Sequence, residues 1–387
     1  MTDIWNKIKN LVIGSKDLAM LGSGSIIATG ISGIFWFYIA SLIEVDSYGE
    51  ISYFVAIASL VGVISTVGAQ NTITVFTAKG EKVVPELAFV SLISGVISST
   101  ILFFIFFNFG ASFYVLGYIV FAIVSSEILG RKFYKTYSKY IVAQRILMVA
   151  LAIGFYYLLG NDGIIIGLGL SFFVYSYRLY QQCKGTKINL SILKPKRNFI
   201  IHNYATDLAN ILTGSLDKII IAPLFGFIIL GNYQLGIQFL TVILLIPSIV
   251  YQYILPQDSS GIANKKLKSI LVITSIIISV FGILLSPIVV PAFFPKFQEA
   301  VQVVQIISLV LIPHSFIIIF QSRFLAQLKS NIVVFGNGIF VSIQISSIII
   351  LGSVFGINGI AWGMVLASIG HASFYGIMNQ KMKNKIS

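Results

Sequence analysis

Long apolar stretches alternate with short polar segments along the whole chain. An α-helix needs about 20 predominantly apolar residues to cross the hydrocarbon core of a bilayer, and most of the stretches reach that length. The predicted fold class is therefore an all-α polytopic membrane protein without a separate soluble domain. The pattern predicts twelve membrane-spanning helices, at residues 18–43, 50–76, 85–108, 111–130, 140–160, 163–181, 199–224, 227–256, 268–292, 300–322, 330–354 and 357–380.

Composition and charge distribution agree with this interpretation. Hydrophobic residues occupy 57% of the 387 positions, and the mean hydropathy is +0.94. A net charge of +13 would favour nucleic acid as the partner of a soluble protein. Here, however, every Lys and Arg except Arg145, Lys218 and Lys296 falls in the termini or in alternate connections on one side of the membrane. The positive-inside rule then predicts that both termini lie in the cytoplasm, and no nucleic-acid partner is expected. The expected location is the cell (plasma) membrane.

The two halves of the chain share short stretches of sequence. The first helical hairpins align without a gap, so that Gly49 meets Gly231. The last helix of each half begins with a similar phrase, NDGIIIG in the first half and INGIAWG in the second, so that Gly163 meets Gly359. These matches indicate an internal repeat of six helices.

The repeat predicts the domain organisation. We expect an N-terminal lobe at residues 1–181, a basic cytoplasmic linker at 182–198 and a C-terminal lobe at 199–387. Because six is an even number, both halves enter the membrane from the same side. The lobes are then parallel repeats related by a pseudo-twofold axis along the membrane normal, and the substrate is expected at their interface.

One face of the seventh predicted helix is polar. On a helical wheel, five positions fall within an arc of about 80°: Asn203, Asp207, Asn210, Gly214 and Asp217. A charge near the bilayer centre costs roughly 3 kcal/mol even on a lenient scale, so this face must meet protein or water. Asp207 lies deeper than Asp217 and Lys218, and these last two are not expected to pair with each other because adjacent helix positions point apart.

This polar face is a candidate ion-coupling site. Apolar surroundings favour the protonated form of a carboxyl group, so Asp207, helped by Asn203 and Asn210, could bind a proton or Na⁺. Asp217 is a second candidate. The alternative is that these carboxyl groups only hydrogen-bond between helices for stability. Beyond a possible Na⁺ at Asp207, no metal, cofactor or enzymatic activity is expected, because the single Cys183 and the absence of nucleotide-binding or hydrolytic motifs leave no basis for one.

The first half has a polar layer of its own, made of Gln70, Asn71, Glu127, Gln144 and Arg145. Arg145 is the one basic residue well inside a helix of this half, and its planar, permanently charged guanidinium suits a phosphate group. Two alternatives remain, namely that Arg145 reaches back to the interface or that it pairs with Glu127. We expect Glu127 to pair with Arg131 on its own helix.

The chain resembles the polysaccharide-exporter branch of the multidrug/oligosaccharidyl-lipid/polysaccharide (MOP) exporter superfamily, the Wzx-type flippases. The phrases that carry the resemblance are YGEISYFVAIASLVG from Tyr48, LDKIIIAPLFG followed by LGNYQLGIQFL, YILPQDSS, and INGIAWG. The resemblance implies two six-helix lobes in a V shape around a central cavity that opens to either side in turn. The sequence departs from the lipid II flippase branch, because it lacks basic residues in the first two helices and has twelve predicted helices rather than fourteen.

The resemblance also implies a cargo and partners. The cargo would be a polyprenyl-diphosphate-linked oligosaccharide, moved to the outer leaflet with the help of a proton or sodium gradient. Arg145 is the first candidate to hold the diphosphate and Lys218 the second, in a cavity that includes Gln144, Gln70 and Asn71. Membrane lipids, a polysaccharide polymerase and glycosyltransferases are the implied partners.

Two other functions remain open. A multidrug cation antiporter can have the same fold, although the first predicted helix, where one such branch carries a carboxylate, is uncharged here. A membrane scaffold for a glycan-synthesis complex, without transport activity, is the third hypothesis. It leaves the polar face around Asp207 without a role.

Overall fold

The computed structural model describes the backbone of residues 2–260, 264–327 and 329–383, and their side chains except at 2–21, 252, 253, 256 and 383. Within this part of the chain every regular element is a helix. Two 3₁₀-helices lie at Phe172–Tyr175 and Leu190–Lys196. The α-helices are α1 (Thr2–Leu42), α2 (Val45–Thr66), α3 (Ala69–Ala78), α4 (Val84–Phe106), α5 (Phe109–Gly130), α6 (Tyr134–Leu159), α7 (Asn161–Ser171), α8 (Ser176–Cys183), α9 (Arg197–Phe225), α10 (Phe227–Ile243), α11 (Leu245–Ser259), α12 (Lys265–Phe293), α13 (Ala300–Ser308), α14 (Leu311–Ala326) and α15 (Ser330–Lys383).

The helices confirm the predicted all-α membrane fold. Eleven helical stretches among the described residues are long and apolar enough to cross a membrane. The last of them, α15, contains Gly356 in a non-helical conformation (φ 59°, ψ −139°), which divides it into residues 330–355 and 357–383. With this division the twelve predicted spans are present.

Some predicted spans are interrupted. The second, predicted as one helix at 50–76, is α2 followed by α3, because Val67 and Gly68 adopt positive φ angles of 50° and 73°. Hydropathy reports where a segment can cross a membrane, but not where the backbone leaves the helical conformation, so the sequence pattern missed this break.

The orientation of the spans in the bilayer stays a prediction. It rests on the side of the membrane that the basic residues occupy. Several of those side chains lie outside the described residues: Lys7, Lys9, Lys16, Lys383 and Lys385.

Tertiary contacts divide the chain into two compact units. Unit 1 comprises Met1–Phe35 and Phe54–Ser215, and unit 2 comprises Trp36–Tyr53 and Leu216–Ser387. In unit 1, α5 packs against α3, α4 and α7 and is largely buried. In unit 2, α13 packs against α10, α12 and α15 around a core that includes the fully buried Tyr233. The boundary between the units runs through α9, so the lobe boundaries expected from the sequence stay a prediction.

The last hairpins of the two repeats have the same backbone geometry. Gly160 (φ 69°, ψ −148°) precedes α7, and the equivalent Gly356 (φ 59°, ψ −139°) divides α15. After each turn the helices approach so closely that only glycine fits. A Cβ atom on Gly163 would collide with the carbonyl oxygen of Phe155, and one on Gly359 with that of Leu351. The sequence repeat aligns Gly163 with Gly359 and Phe155 with Leu351. The same close contact therefore occurs in both repeats, and the backbone repeats as the sequence does.

The first hairpins of the two repeats contact each other within unit 2. A Cβ atom on Gly49 would collide with the carbonyl oxygen of Phe227, and one on Gly231 with the carbonyl oxygen of Val45. In the repeat alignment Val45 is equivalent to Phe227, just as Gly49 is equivalent to Gly231. The contact is therefore isologous, with the same surface presented by both repeats, as a twofold relation requires.

We predict that Gly163→Ala and Gly359→Ala each destabilise the protein by about 1–3 kcal/mol, because the added methyl group has to displace backbone atoms. Gly154→Ala is the matched control, since Gly154 lies in α6 and a Cβ atom there meets nothing within 4 Å. Its effect should be neutral or stabilising by up to about 1 kcal/mol. Thermal unfolding of the purified protein in detergent measures all three, and equal melting temperatures would contradict the close packing described above.

Candidate functional site

Asp207 and Asn71 are hydrogen-bonded to each other in unit 1. Asp207 lies on α9 and is buried, with 7% of its surface exposed. Its Oδ1 accepts a hydrogen bond of 2.9 Å from Nδ2 of Asn71 on α3. The second oxygen, Oδ2, is also buried and has no hydrogen-bond partner among the described residues. From the sequence, Asn71 was expected at the substrate site and Asp207 at the coupling-ion site, whereas the structure brings the two side chains together.

The close approach of α3 to α9 depends on the break in the second span. Gly68, with its positive φ, precedes α3, and a Cβ atom there would lie 2.5 Å from the carbonyl oxygen of Ile200. One helical turn further along α9, the backbone nitrogen of Tyr204 would be 3.0 Å away. Any side chain at position 68 would therefore push α9 from α3 and weaken the hydrogen bond between Asn71 and Asp207.

The other two polar residues that were grouped with Asp207 do not hydrogen-bond to it. Asn203 donates from Nδ2 to the carbonyl oxygen of Phe199, four residues earlier on the same helix, at 2.8 Å. Asn210 lies on the exposed side of α9. The polar face is present on α9, but the hydrogen-bond partner of Asp207 lies on α3.

Arg145 lies on α6 without a carboxylate partner among the described residues. Its Nη1 contacts Sδ of Met148 on the same helix at 3.5 Å, and its Nε is buried without a hydrogen-bond partner in this part of the chain. The alternative of an ion pair with Glu127 is wrong, because Glu127 is fully buried between Arg131 and Arg178. The expected pair of Glu127 with Arg131 is confirmed, and the short distance of 2.8 Å from Glu127 Oε2 to Arg178 Nε adds a second partner from α8.

Tyrosine side chains interact electrostatically with Arg145 and with Asp207. Arg145 acts on the hydroxyl groups of Tyr114, Tyr137 and Tyr175, and Asp207 acts on that of Tyr118. These tyrosines were not among the residues expected from the sequence. Tyr114 and Tyr118 are four residues apart on α5, so their helical spacing was the signal that could have identified a shared polar face.

Two glutamines of the predicted site contact other residues of unit 1. Gln70 donates from Nε2 to the hydroxyl of Tyr118 at 3.2 Å, and Gln144 donates from Nε2 to Oγ of Ser171 at 2.7 Å. Gln144 is buried and fixes α6 against α7, next to Arg145 in the sequence. Gln70 and Asp207 thus both interact with Tyr118 of α5, whereas Arg145 interacts with Tyr114 of the same helix.

Asp217 belongs to a different cluster, in unit 2. Its Oδ2 accepts a hydrogen bond of 3.1 Å from the hydroxyl of Tyr233 on α10, and Tyr233 is also hydrogen-bonded to Gln344 on α15. Its Oδ1 lies 3.1 Å from Nζ of Lys218. The expectation that Asp217 and Lys218 do not pair is wrong. The four-carbon Lys218 side chain is long enough to fold back to its neighbour, whose Oδ1 also accepts the Lys218 backbone N–H at 2.9 Å.

The chemistry of the two clusters differs. In unit 1, among the described residues, the guanidinium of Arg145 has no carboxylate partner and one oxygen of Asp207 has no hydrogen-bond partner. In unit 2 both oxygens of Asp217 are occupied by side chains of the protein. Among the described residues, no group of three or more His, Cys, Asp or Glu side chains is placed to hold a metal ion.

The fold of this chain is similar to that of several solved membrane-protein structures. The solved structure of a lipid II flippase, MurJ, in an inward closed conformation is similar to this chain with a TM-score of 0.74 at 16% identity, covering 92% of this chain and 87% of the other. An inward-facing multidrug resistance transporter of the MATE family matches with a TM-score of 0.68 at 14% identity, over 93% and 96% of the two chains. A MOP superfamily transporter from Pyrococcus furiosus matches with a TM-score of 0.60 at 15% identity, over 95% of each chain. No protein-family model and no curated protein sequence matches the chain.

We predict that Glu127→Gln destabilises the protein by about 3–5 kcal/mol, because it leaves two arginines without their buried counter-charge. Glu81→Gln is the matched control, since Glu81 pairs with Lys196 at 2.7 Å but is 42% exposed. Its loss should cost at most about 1 kcal/mol. Thermal unfolding in detergent distinguishes the two, and equal effects would show that the buried cluster around Glu127 contributes no more than a surface ion pair.

Proposed function

We propose that the protein is a flippase that moves a polyprenyl-diphosphate-linked oligosaccharide from the cytoplasmic to the outer leaflet by alternating access. The observation that carries the proposal is that the guanidinium of Arg145, within a membrane-spanning helix, has no carboxylate partner among the described residues. A charge in this position needs a counter-ion, and a transported anion supplies one only while it is bound.

The surroundings of Arg145 support an anion with several oxygen atoms. The guanidinium can donate two parallel hydrogen bonds to a phosphate group, and phenolic hydroxyls such as those of Tyr114, Tyr137 and Tyr175 can donate more. Glu127 does not compete for Arg145, because it is held by Arg131 and Arg178. Lys218, the second candidate for the diphosphate, is tied to Asp217 and is therefore the weaker one.

We further propose that Asp207 couples transport to a proton or sodium gradient. The carboxyl group can take up a proton on Oδ2 while Oδ1 keeps the hydrogen bond from Asn71. Sodium would instead bind the carboxylate directly, as a hard cation prefers oxygen ligands. Because Asn71 lies in the first predicted half of the chain and Asp207 in the second, a change in the charge of Asp207 acts on a contact between the repeats. Asp217 is the weaker candidate, since both its oxygens already have partners.

The biological setting follows from the same proposal. The termini would lie in the cytoplasm, where glycosyltransferases assemble the lipid-linked unit, and a polymerase would use it on the outer side. The protein itself would catalyse no covalent step. The likeness to a lipid II flippase in fold supports a lipid-linked cargo, and the departures of the sequence from that branch argue for a cargo other than the peptidoglycan precursor.

A multidrug cation antiporter is the second candidate. The structural similarity to a MATE family transporter over nearly the whole of both chains favours it, as do the two acidic side chains Asp207 and Asp217. The unpaired positive charge of Arg145 argues against it, because a guanidinium repels a cationic substrate.

We predict that Arg145→Ala lowers the rate of translocation of a lipid-linked oligosaccharide in reconstituted vesicles roughly tenfold to a hundredfold, the loss expected for hydrogen bonds to a charged group. Arg145→Lys should retain part of the activity, because the charge remains without the planar fork. Lys296→Ala is the matched control, since Lys296 pairs with Glu44 in unit 2. Unaltered transport by Arg145→Ala, with the protein folded, would exclude the phosphate role.

We predict that Asp207→Asn abolishes the response of transport to an imposed proton or sodium gradient, because an amide neither binds a proton at neutral pH nor offers a charged ligand to Na⁺. The gradient-independent rate would remain. Asp162→Asn, which alters an exposed carboxylate at the start of α7, serves as control and should respond as the unmodified protein does. A full gradient response by Asp207→Asn would count against the coupling role.

A further inference from the structure

Unit 1 contains a basic cavity at one end of its helices. The cavity has a volume of about 430 Å³ and lies where α3, α5 and α8 end and α4 begins. Its polar lining includes Lys82, Arg131 and Lys184, with Gln181 and Gln182 between them. A volume of this size is in the range of small-molecule sites. None of the residues proposed for transport lines it.

The cavity carries an excess of positive charge. Its acidic lining residue, Glu81, is paired with Lys196, and Arg131 shares Glu127 with Arg178. Lys82 and Lys184 have no acidic partner among the described residues. Lys184 Nζ lies over the ring of Tyr180, 5.8 Å from its centroid, and Arg131 donates from Nη2 to Oε1 of Gln182 at 2.9 Å. The lysines therefore remain available for an anion, and Gln182 orients the arginine.

An apolar groove follows on the same helix. It has a volume of about 380 Å³ and is lined by Leu190 and by six residues of α4 at helical spacing: Phe89, Val90, Ile93, Ser94, Ile97 and Ser98. Phe89, Ile93 and Ile97 are among the exposed large hydrophobic residues of the chain. With a rise of about 1.5 Å per residue, the groove begins some 6 Å beyond Pro85, which lines the basic cavity.

Residues 186–190, which follow α8, connect the basic cavity to the apolar groove. Thr186 lines the basic cavity and Leu190 lines the groove. Between them, the backbone N–H of Asn189 donates to Oε1 of the buried Glu86 on α4 at 3.4 Å. Glu86 follows Pro85, which lines the basic cavity, and this contact fixes the segment across α4. A positively charged head site and an apolar tail site thus lie next to each other along a membrane-spanning helix.

We propose that this surface binds an anionic phospholipid of the membrane, with the phosphate-bearing head group in the basic cavity and an acyl chain in the groove of α4. Basic pockets between membrane-spanning helices bind anionic lipid head groups because opposite charges attract. The charge complementarity selects the head group, and the adjoining groove selects a lipid over a free anion. This lipid site is separate from the proposed transport function and does not depend on it.

Native mass spectrometry of the purified full-length protein in a neutral detergent tests the proposal, with dioleoylphosphatidylglycerol, dioleoylphosphatidylcholine and inorganic phosphate as three separate ligands. We expect phosphatidylglycerol to bind at least tenfold more tightly than phosphatidylcholine, and millimolar phosphate not to displace it. Equal affinity for the two lipids would overturn the role of the basic cavity. Full displacement by phosphate alone would overturn the role of the groove.

Substitution of the cavity lysines tests the head-group position. The double variant Lys82→Gln and Lys184→Gln should weaken phosphatidylglycerol binding on the order of tenfold or more, following the contribution of each lysine near an anionic lipid. The double variant Lys135→Gln and Lys187→Gln removes the same charge from exposed positions outside the cavity and should change the affinity less than twofold. An equal loss in both would mean a general attraction of the basic surface, which contradicts a defined site.

A groove-filling substitution tests the tail position. Ser94→Phe should lower phosphatidylglycerol affinity several-fold, because the added ring occupies the space between Phe89 and Ile97. Ile101→Phe, at an exposed position of α4 beyond the groove, is the control and should leave the affinity unchanged. Unchanged binding by Ser94→Phe would contradict acyl-chain docking. Should any variant fail to fold, the comparison of the three ligands on the unmodified protein still decides the proposal.

Discussion

A charge within a bilayer has to be neutralised, hydrogen-bonded or given access to water, and this constraint explains how the polar side chains of the protein are arranged. Glu127 is buried between two arginines, and Asp217 is held by Lys218 and Tyr233. These clusters are closed, since each charge has a fixed partner. Arg145 and one oxygen of Asp207 do not meet the constraint with described residues of the protein. Under the proposed function, a transported anion would neutralise Arg145 and a coupling cation would bind the free oxygen of Asp207.

The internal repeat is the second feature on which the proposed alternating access depends. Glycines at equivalent positions allow backbone-to-backbone contact in the last hairpin of each repeat and between the first hairpins. Such contacts bury no polar side chain and need no specific hydrogen bond, so they hold helices together by packing alone. The hydrogen bond from Asn71 to Asp207 is of the opposite kind, because its strength depends on the charge of the carboxyl group. A contact of this kind can be altered by binding a proton or an ion.

The sequence was sufficient for the spans and the repeat, because each of these leaves a periodic or local signal. Asp207 and Arg145 stand out by the same kind of signal, as charges within predicted spans, and their roles stay a proposal. A polar stripe on a helix shows that a face must be covered, but not which helix covers it. The pairing of Asp207 with Asn71 spans 136 positions and depends on the positive φ of Gly68, which no hydropathy pattern reports. Arg178 was counted among the basic residues of a connection, although the packing of α8 on α5 brings it to Glu127. Lys218 was not expected to pair with Asp217, because their Cα–Cβ bonds point apart. Its long, flexible side chain nevertheless reaches that carboxylate.

The most direct test of the transport account uses the unmodified protein in sealed vesicles that contain a fluorescent polyprenyl-diphosphate oligosaccharide in both leaflets. A membrane-impermeant quencher then reports how fast the lipid in the inner leaflet becomes accessible, with and without a proton or sodium gradient. The account predicts protein-dependent translocation that the gradient accelerates. No translocation of the lipid, together with gradient-driven movement of a cationic dye across the same vesicles, would contradict it and identify a cation antiporter instead.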